Sequence, residues 1–282
     1  MVVLTALMCL GGFLRLSELG ANGFWLDEIL NTTRVTPEHV PFDHALVWFG
    51  GTLHHDEAGV RLPFALIGIV TIWLVYQATR TALPRLESLF AAALLTMAPL
   101  HVYHSREVKP YAPLVAAGAL GFWALLHLTS DHWEMRRQWR WHLLFAIAAV
   151  LLVLFSSNGL FYLVALISGY LLLIVRAPTW KARVLHLGRV LGVSVLCLVV
   201  FWFFYSGIVS SIGYVRLLPP MDLIGRLAQS LVSGFTEDRT PSMLLLLEFS
   251  AAAIGAVGLF LTQRLTALTA ICLLYTSPSP RD

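Results

Sequence analysis

The residues best suited to chemistry sit in two polar stretches. The first is Asn22–Asn31, NGFWLDEILN, which follows the first apolar run of the chain. It places two adjacent carboxylates, Asp27 and Glu28, just behind Trp25. Tryptophan favours the membrane–water interface. A carboxylate there lies between wet and dry surroundings, where its basicity can be tuned. Such a group suits general-base work, taking a proton from an acceptor hydroxyl. Neighbouring side chains point in different directions on any regular backbone, so one of the two acids is expected to be the base. The plainer reading is an acidic helix start, because carboxylates favour the first helical turn.

The second stretch is His101–Tyr111, HVYHSREVKPY. Arg106, Glu107 and Lys109 crowd a short loop between two apolar runs. Charge at membrane depth is costly and points to function by default. Arginine can hold a phosphate through two parallel hydrogen bonds, and lysine can hold it as a point charge. Glu107 could orient one of these cations or help bind a metal ion. Tyr111 completes the set of candidate binding residues. Ordinary interfacial anchoring by Arg, Lys and Tyr is the alternative.

Other polar groups carry weaker signals. His54-His55-Asp56-Glu57 and the pair His101/His104 lack a fixed metal spacing such as His-Glu-x-x-His, so a solvated loop is expected for the first. Arg15 and Glu18 lie one turn apart and are expected to pair. Cys9, Cys197 and Cys272 fall inside apolar runs and read as small core residues. The absence of a Walker motif, a Gly-rich phosphate loop and a dinucleotide fingerprint disfavours a nucleotide-driven pump. No metal set is legible, although a divalent cation is compatible with the chemistry, and no nucleic-acid partner is expected.

The elements that must position these groups are apolar. The chain has 282 residues, 58% hydrophobic and 12% charged, against about 25% charged in soluble domains. Only helices or closed barrels satisfy their backbone in lipid. The runs are continuous rather than alternating, which selects helices. The expected fold is all-α, a polytopic bundle of eight or nine spans. Candidate spans are Val2–Leu19, Leu62–Thr79, Leu86–Val102, Tyr111–Thr129, Trp141–Ser156, Gly159–Val175, Leu187–Ser206, Met243–Thr262 and Leu265–Tyr275. The first run lacks the basic start and small-residue cleavage site of a signal peptide, so it is expected to remain as a span.

With the N-terminus inside, the inner loops hold ten basic and three acidic residues, and the outer loops seven basic and ten acidic. Lys and Arg bias fixes orientation, so this topology is expected. The three long or polar segments, residues 20–61, 101–110 and 207–242, then all face outside. In the first of these, Phe42, Ala45, Leu46 and Phe49 follow helical spacing. Thr36-Pro37 predicts the start of a short interfacial helix and Gly50-Gly51 its stop. The tail Thr276–Asp282, TSPSPRD, interrupts the last run and reads as non-native sequence. The expected domain is therefore residues 1–275, truncated at its C-terminal side.

Several motifs now combine. An early span with Arg15 precedes GFWLDE, then VPFDHALVW, GVRLPFALIG and HVYHSREVKPYAP follow in order. This set resembles the membrane glycosyltransferases of the GT-C fold, in the protein O-mannosyltransferase and aminoarabinose-transferase superfamily. The resemblance covers about the first 130 residues. It implies a sugar on a polyprenyl phosphate as donor, and transfer with inversion at the outer face of the cytoplasmic membrane. It implies a protein, lipid or glycan hydroxyl as acceptor. It maps the catalytic acid onto Asp27, with Glu28 its neighbour in the motif, and the phosphate contacts onto Arg106 and Lys109. One departure is HVPFDHALVW, where many relatives read His-Pro-Pro-Leu-Tyr-Tyr, so His39, Pro41 and Asp43 align only loosely. Two rivals are a transporter or flippase for a lipid-linked or acidic solute, and a membrane subunit with a decayed site. The nearly charge-free middles of the spans speak against the first, and the intact acids and bases against the second.

Overall fold

In a computed structural model, the apolar runs close their own backbone hydrogen bonds as helices. The structure describes residues 2–25, 28–29, 32, 41–130, 138–156, 159–177 and 179–211. Among these residues there are nine helices and no strand. They are α1 (Val2–Leu16), α2 (Pro41–Leu53), α3 (Glu57–Ala82), α4 (Arg85–Met97) and α5 (Pro99–Ser105). Then come α6 (Tyr111–Ser130), α7 (Trp139–Phe155), α8 (Gly159–Arg176) and α9 (Trp180–Ser211). They belong to a compact unit, Met1–Ser206, which α9 leaves near its end.

Helix α3 is the centre of the packing. It touches α1, α2, α4, α5 and α6. Its residues Phe64, Ala65 and Ile72 are fully buried. Helix α6 carries the contact onward to α7 and α8, where Gly121 lies against Ala148 and Leu166. Small residues on α3 and α6 let these backbones approach, as is usual where lipid removes the hydrophobic drive between helices. Among the described residues, three helices are long and apolar enough to cross a membrane: α3, α6 over Tyr111–Leu128, and α9 over Trp180–Phe204.

The described residues account for only part of the expected eight or nine spans. The run at Leu86–Val102 is no straight span: α4 and α5 meet at an angle of 59°. Pro99 cannot donate to Leu95 and forces the break. Joined, this bent pair makes a fourth candidate span among the described residues. Helix α1 stops at Leu16, and its 15 residues reach about 22 Å, less than the ~30 Å hydrocarbon core. Helices α7 and α8 are also short and apolar. The expected spans Met243–Thr262 and Leu265–Tyr275, and the tail, lie outside the described residues.

A helix forms in this segment, but its stop differs from expectation, while the expected start at Thr36-Pro37 lies outside the described residues. The described helix, Pro41–Leu53, runs through both glycines. The glycines are there for approach, not termination. Pro63 inside α3 has no N–H for the carbonyl of Gly59, and Gly50 packs against that carbonyl. A Cβ on Gly50 would collide with it, whereas a Cβ on Gly51 meets open space. His54 and Asp56 form an exposed pair at 3.4 Å, in the solvated loop expected there. Asp56 caps α3 by accepting from Gly59 N at 2.8 Å.

Adjacent substitutions should therefore act with opposite sign. Gly50→Ala overpacks the α2–α3 contact and should destabilise by about 1–3 kcal/mol. Gly51→Ala should be neutral or stabilising by up to about 1 kcal/mol, the helix-propensity gain. Thermal unfolding of the two purified variants in detergent measures the difference.

Candidate functional site

The turn after α1 exposes a run of backbone carbonyls that needs a polar anchor. Arg61, in the second turn of α3, supplies it. Its side chain is buried, and so is that of Glu28. The pair is bidentate: Arg61 Nε donates to Glu28 Oε1 at 2.9 Å and Nη2 to Oε2 at 2.5 Å. Nη1 donates to the carbonyls of Leu19 (2.9 Å) and Asn22 (2.8 Å). Nη2 also reaches the carbonyl of Gly23 at 3.2 Å. All five guanidinium donors are thereby placed. The guanidinium carbon lies 5.2 Å from the centre of the Phe24 ring.

Glu28 is equally engaged. Besides Arg61, its Oε2 accepts from Trp25 N at 3.4 Å and its Oε1 from Val108 N at 3.1 Å. This last bond joins the first polar stretch to the second, eighty positions later in the chain. The residue between Glu107 and Lys109 is thus fixed to the residue that follows Asp27. Asp27 itself lies outside the described residues.

Lys109 is buried beside this junction. Its ammonium sits 4.2 Å from the centre of the Trp25 ring and 5.6 Å from that of Tyr111. Both rings favour a cation over their faces. Tyr111 in turn packs on His104, with ring centroids 4.5 Å apart. Glu107 is buried and approaches His104 Nδ1 at 3.4 Å. Trp25, Glu28, Glu107, Lys109 and Tyr111 therefore form one cluster around the Glu28–Val108 bond.

Arg106 points elsewhere. It donates to the carbonyls of Ser17 (2.9 Å) and Glu18 (3.3 Å). These carbonyls end α1, where Glu18 takes a left-handed φ of 53°. One Nη of Arg106 thus caps a helix, a favourable place for a cation.

Arg15 also departs from expectation. It does not turn to Glu18, which is exposed. It is fully buried and donates to Leu95 O (3.3 Å), Thr96 O (3.3 Å), Gly11 O (3.1 Å) and His101 Nδ1 (2.9 Å). The break at Pro99 leaves the Leu95 carbonyl without its helical donor, and Arg15 replaces it. Because arginine can only donate, His101 Nδ1 must accept. Sequence reasoning saw Arg61 only as part of the RLP motif and gave it no role in the site. The available signal was a lone arginine in the opening turns of an otherwise apolar helix.

Chemically, the cluster offers a buried ammonium on aromatic faces next to the acidic turn. Among the described residues, no three His, Cys, Asp or Glu side chains converge as a metal set. A double-mutant cycle tests the anchor. Glu28→Gln and Arg61→Met should each destabilise by about 3–5 kcal/mol, since each leaves a buried charge uncompensated. The double variant should lose clearly less than the sum. Thermal and denaturant unfolding in detergent read these values, and additive losses would show that the pair is not coupled.

The family model described as dolichyl-phosphate-mannose-protein mannosyltransferase matches residues 38–202, more than half of the chain. No curated protein matches the chain, and no solved structure does.

Proposed function

This chain belongs to the dolichyl-phosphate-mannose-protein mannosyltransferase family, and from that premise we propose a specific reaction for a membrane glycosyltransferase. The donor is a sugar on a polyprenyl phosphate. The acceptor is a hydroxyl on a protein, lipid or glycan. Transfer takes place at the outer face of the cytoplasmic membrane, with the N-terminus inside. The observation that carries the reading is the Glu28–Val108 hydrogen bond of 3.1 Å. It supports a site in which the acidic turn and the Lys109 loop act on one substrate.

The acceptor oxygen attacks the anomeric carbon from the face opposite the phosphate. The bond from that carbon to the phosphate oxygen breaks, and its electron pair leaves with the phosphate. The configuration inverts. Asp27 takes the acceptor proton. Glu28, with both oxygens engaged by Arg61 and backbone N–H groups, positions the turn rather than moving the proton. Lys109 faces the departing phosphate and stabilises charge as it develops. Arg106 uses one Nη on the end of α1 and contributes its positive field to the same phosphate. Glu107 and Tyr111 hold the loop and the ammonium in place. A divalent cation is not required by this scheme.

Asp27→Asn should lower transfer by at least about 10²-fold, the lower bound for a positioned base. Its unfolding temperature should match the parent. The assay follows release of polyprenyl phosphate from a polyprenyl-phosphate sugar by the purified full chain. Near-normal release by the variant removes Asp27 from the mechanism.

A further inference from the structure

A second polar site lies far from Glu28. Helix α6 starts at Tyr111, beside Lys109, and its 20 residues carry the chain about 30 Å away. Near its far end, His127 stacks on Trp141 of α7 at 3.7 Å. At this end a cavity of about 350 Å³ opens, lined from α7, α8 and α9.

Its polar wall is small and unusually placed. Tyr170 Oη lies 2.9 Å from His142 Nδ1 and 3.1 Å from His186 Nδ1. A phenol has one proton to give, so it donates to one ring and accepts from the other. His142 and Arg189 both line the cavity. His142 Nε2 and Arg189 Nη1 are each buried without a hydrogen-bond partner. Buried polar atoms are paired in the great majority of cases, so two orphans on one cavity call for a ligand that accepts from both. The rest of the wall is apolar, including Leu143, Val193 and Leu196.

The charge nearby has one sign. No Asp or Glu occurs anywhere from Gln138 to Met221. Arg140, Lys181 and Arg183 stand in the opening turns of α7 and α9, at the same end. Juxtamembrane bases of this kind draw anionic lipid.

We propose that this cavity binds the phosphate head of an anionic membrane lipid, at the membrane face away from the Glu28 cluster. Arg189 and His142 donate to the phosphate oxygens. The apolar wall receives the first methylenes of the tails. Bound phosphate selects one proton arrangement: His142 carries its proton on Nε2, Tyr170 donates to His142 Nδ1 and His186 donates to Tyr170. The inference is independent of the transfer chemistry proposed above.

Native mass spectrometry of the full chain in detergent tests it, with phosphatidylglycerol, a polyprenyl phosphate, phosphatidylcholine and inorganic phosphate as separate probes. The parent should retain one phosphatidylglycerol or one polyprenyl phosphate, and whichever is held more tightly identifies the natural source. Arg189→Met and His142→Phe should each weaken that retention by at least about ten-fold, the scale of one charge-assisted hydrogen bond. Gly192→Leu is the steric variant. A Cβ on Gly192 meets no atom within 4 Å, so the chain should fold unchanged and still lose the lipid. Arg140→Gln changes a base that draws lipid to this end but does not line the cavity, and should weaken retention by clearly less than the cavity variants do. The proposal fails if no anionic lipid is retained, or if inorganic phosphate or phosphatidylcholine binds equally well. It also fails if the three cavity variants match the parent, or if Arg140→Gln loses as much as they do.

Discussion

The buried pair of Arg61 and Glu28 holds the polar end of this bundle together. Two charges removed from water cost several kcal/mol each unless every donor and acceptor is met. Here the guanidinium meets five acceptors and the carboxylate meets four donors. The result is more than an ion pair. Arg61 gathers the carbonyls that follow α1, and Glu28 passes the anchor on to the loop before α6. Helix α3, the most connected helix of the described residues, thereby dictates where both polar turns sit.

The same logic recurs at the helix breaks. A proline inside an apolar helix leaves a carbonyl without its donor, and in lipid no water can supply one. At Pro99 the freed carbonyl of Leu95 is taken by Arg15, which also braces His101. At Pro63, where α3 continues unbroken, the carbonyl of Gly59 faces Gly50 across a close helix contact. The first carbonyl gains a buried cation as donor, and the second leaves room only for a glycine. Arg15 ties α1 to α4 and α5, so it sets the angle at which α5 delivers the loop containing Glu107 and Lys109, while Gly50 lets α2 close on α3.

Much of this was legible in the sequence. Continuous apolar runs located α3, α6, α7 and α8 to within a few residues, because a bilayer rewards unbroken hydrophobicity and little else. The helical spacing of Phe42, Ala45, Leu46 and Phe49 located α2, yet its stop was misread. Gly50-Gly51 looks like a helix stop until the packing partner Gly59 is known, and that contact is not local. The resemblance implied that the acidic turn and the loop of Arg106 and Lys109 serve one donor, but the contacts of Trp25 and Glu28 with that loop were not readable from the sequence. Nor were the partners of Arg15 and Arg61, because local spacing suggested Glu18 for the first and nothing for the second. Both find their acceptors in segments distant along the chain, where no periodicity can point.

The two polar ends of the described helices are built on opposite principles. Around Glu28 the carboxylate and the Arg61 guanidinium have all their partners met, so the acidic turn is presented on a fixed frame. A group that moves a proton benefits from such a frame, because misplacement by an ångström can cost orders of magnitude in rate. Around Tyr170 the network is left incomplete, with His142 Nε2 and Arg189 Nη1 unpartnered on a cavity. A binding site for something external has to be incomplete in this way, since its last hydrogen bonds are reserved for the ligand. Helix α9 fits that distinction: Leu191, Leu198, Val199 and Trp202 remain exposed along it, an apolar length that suits lipid rather than packed protein. Chemistry is thus expected where the polar groups are satisfied, and recruitment from the bilayer where they are not.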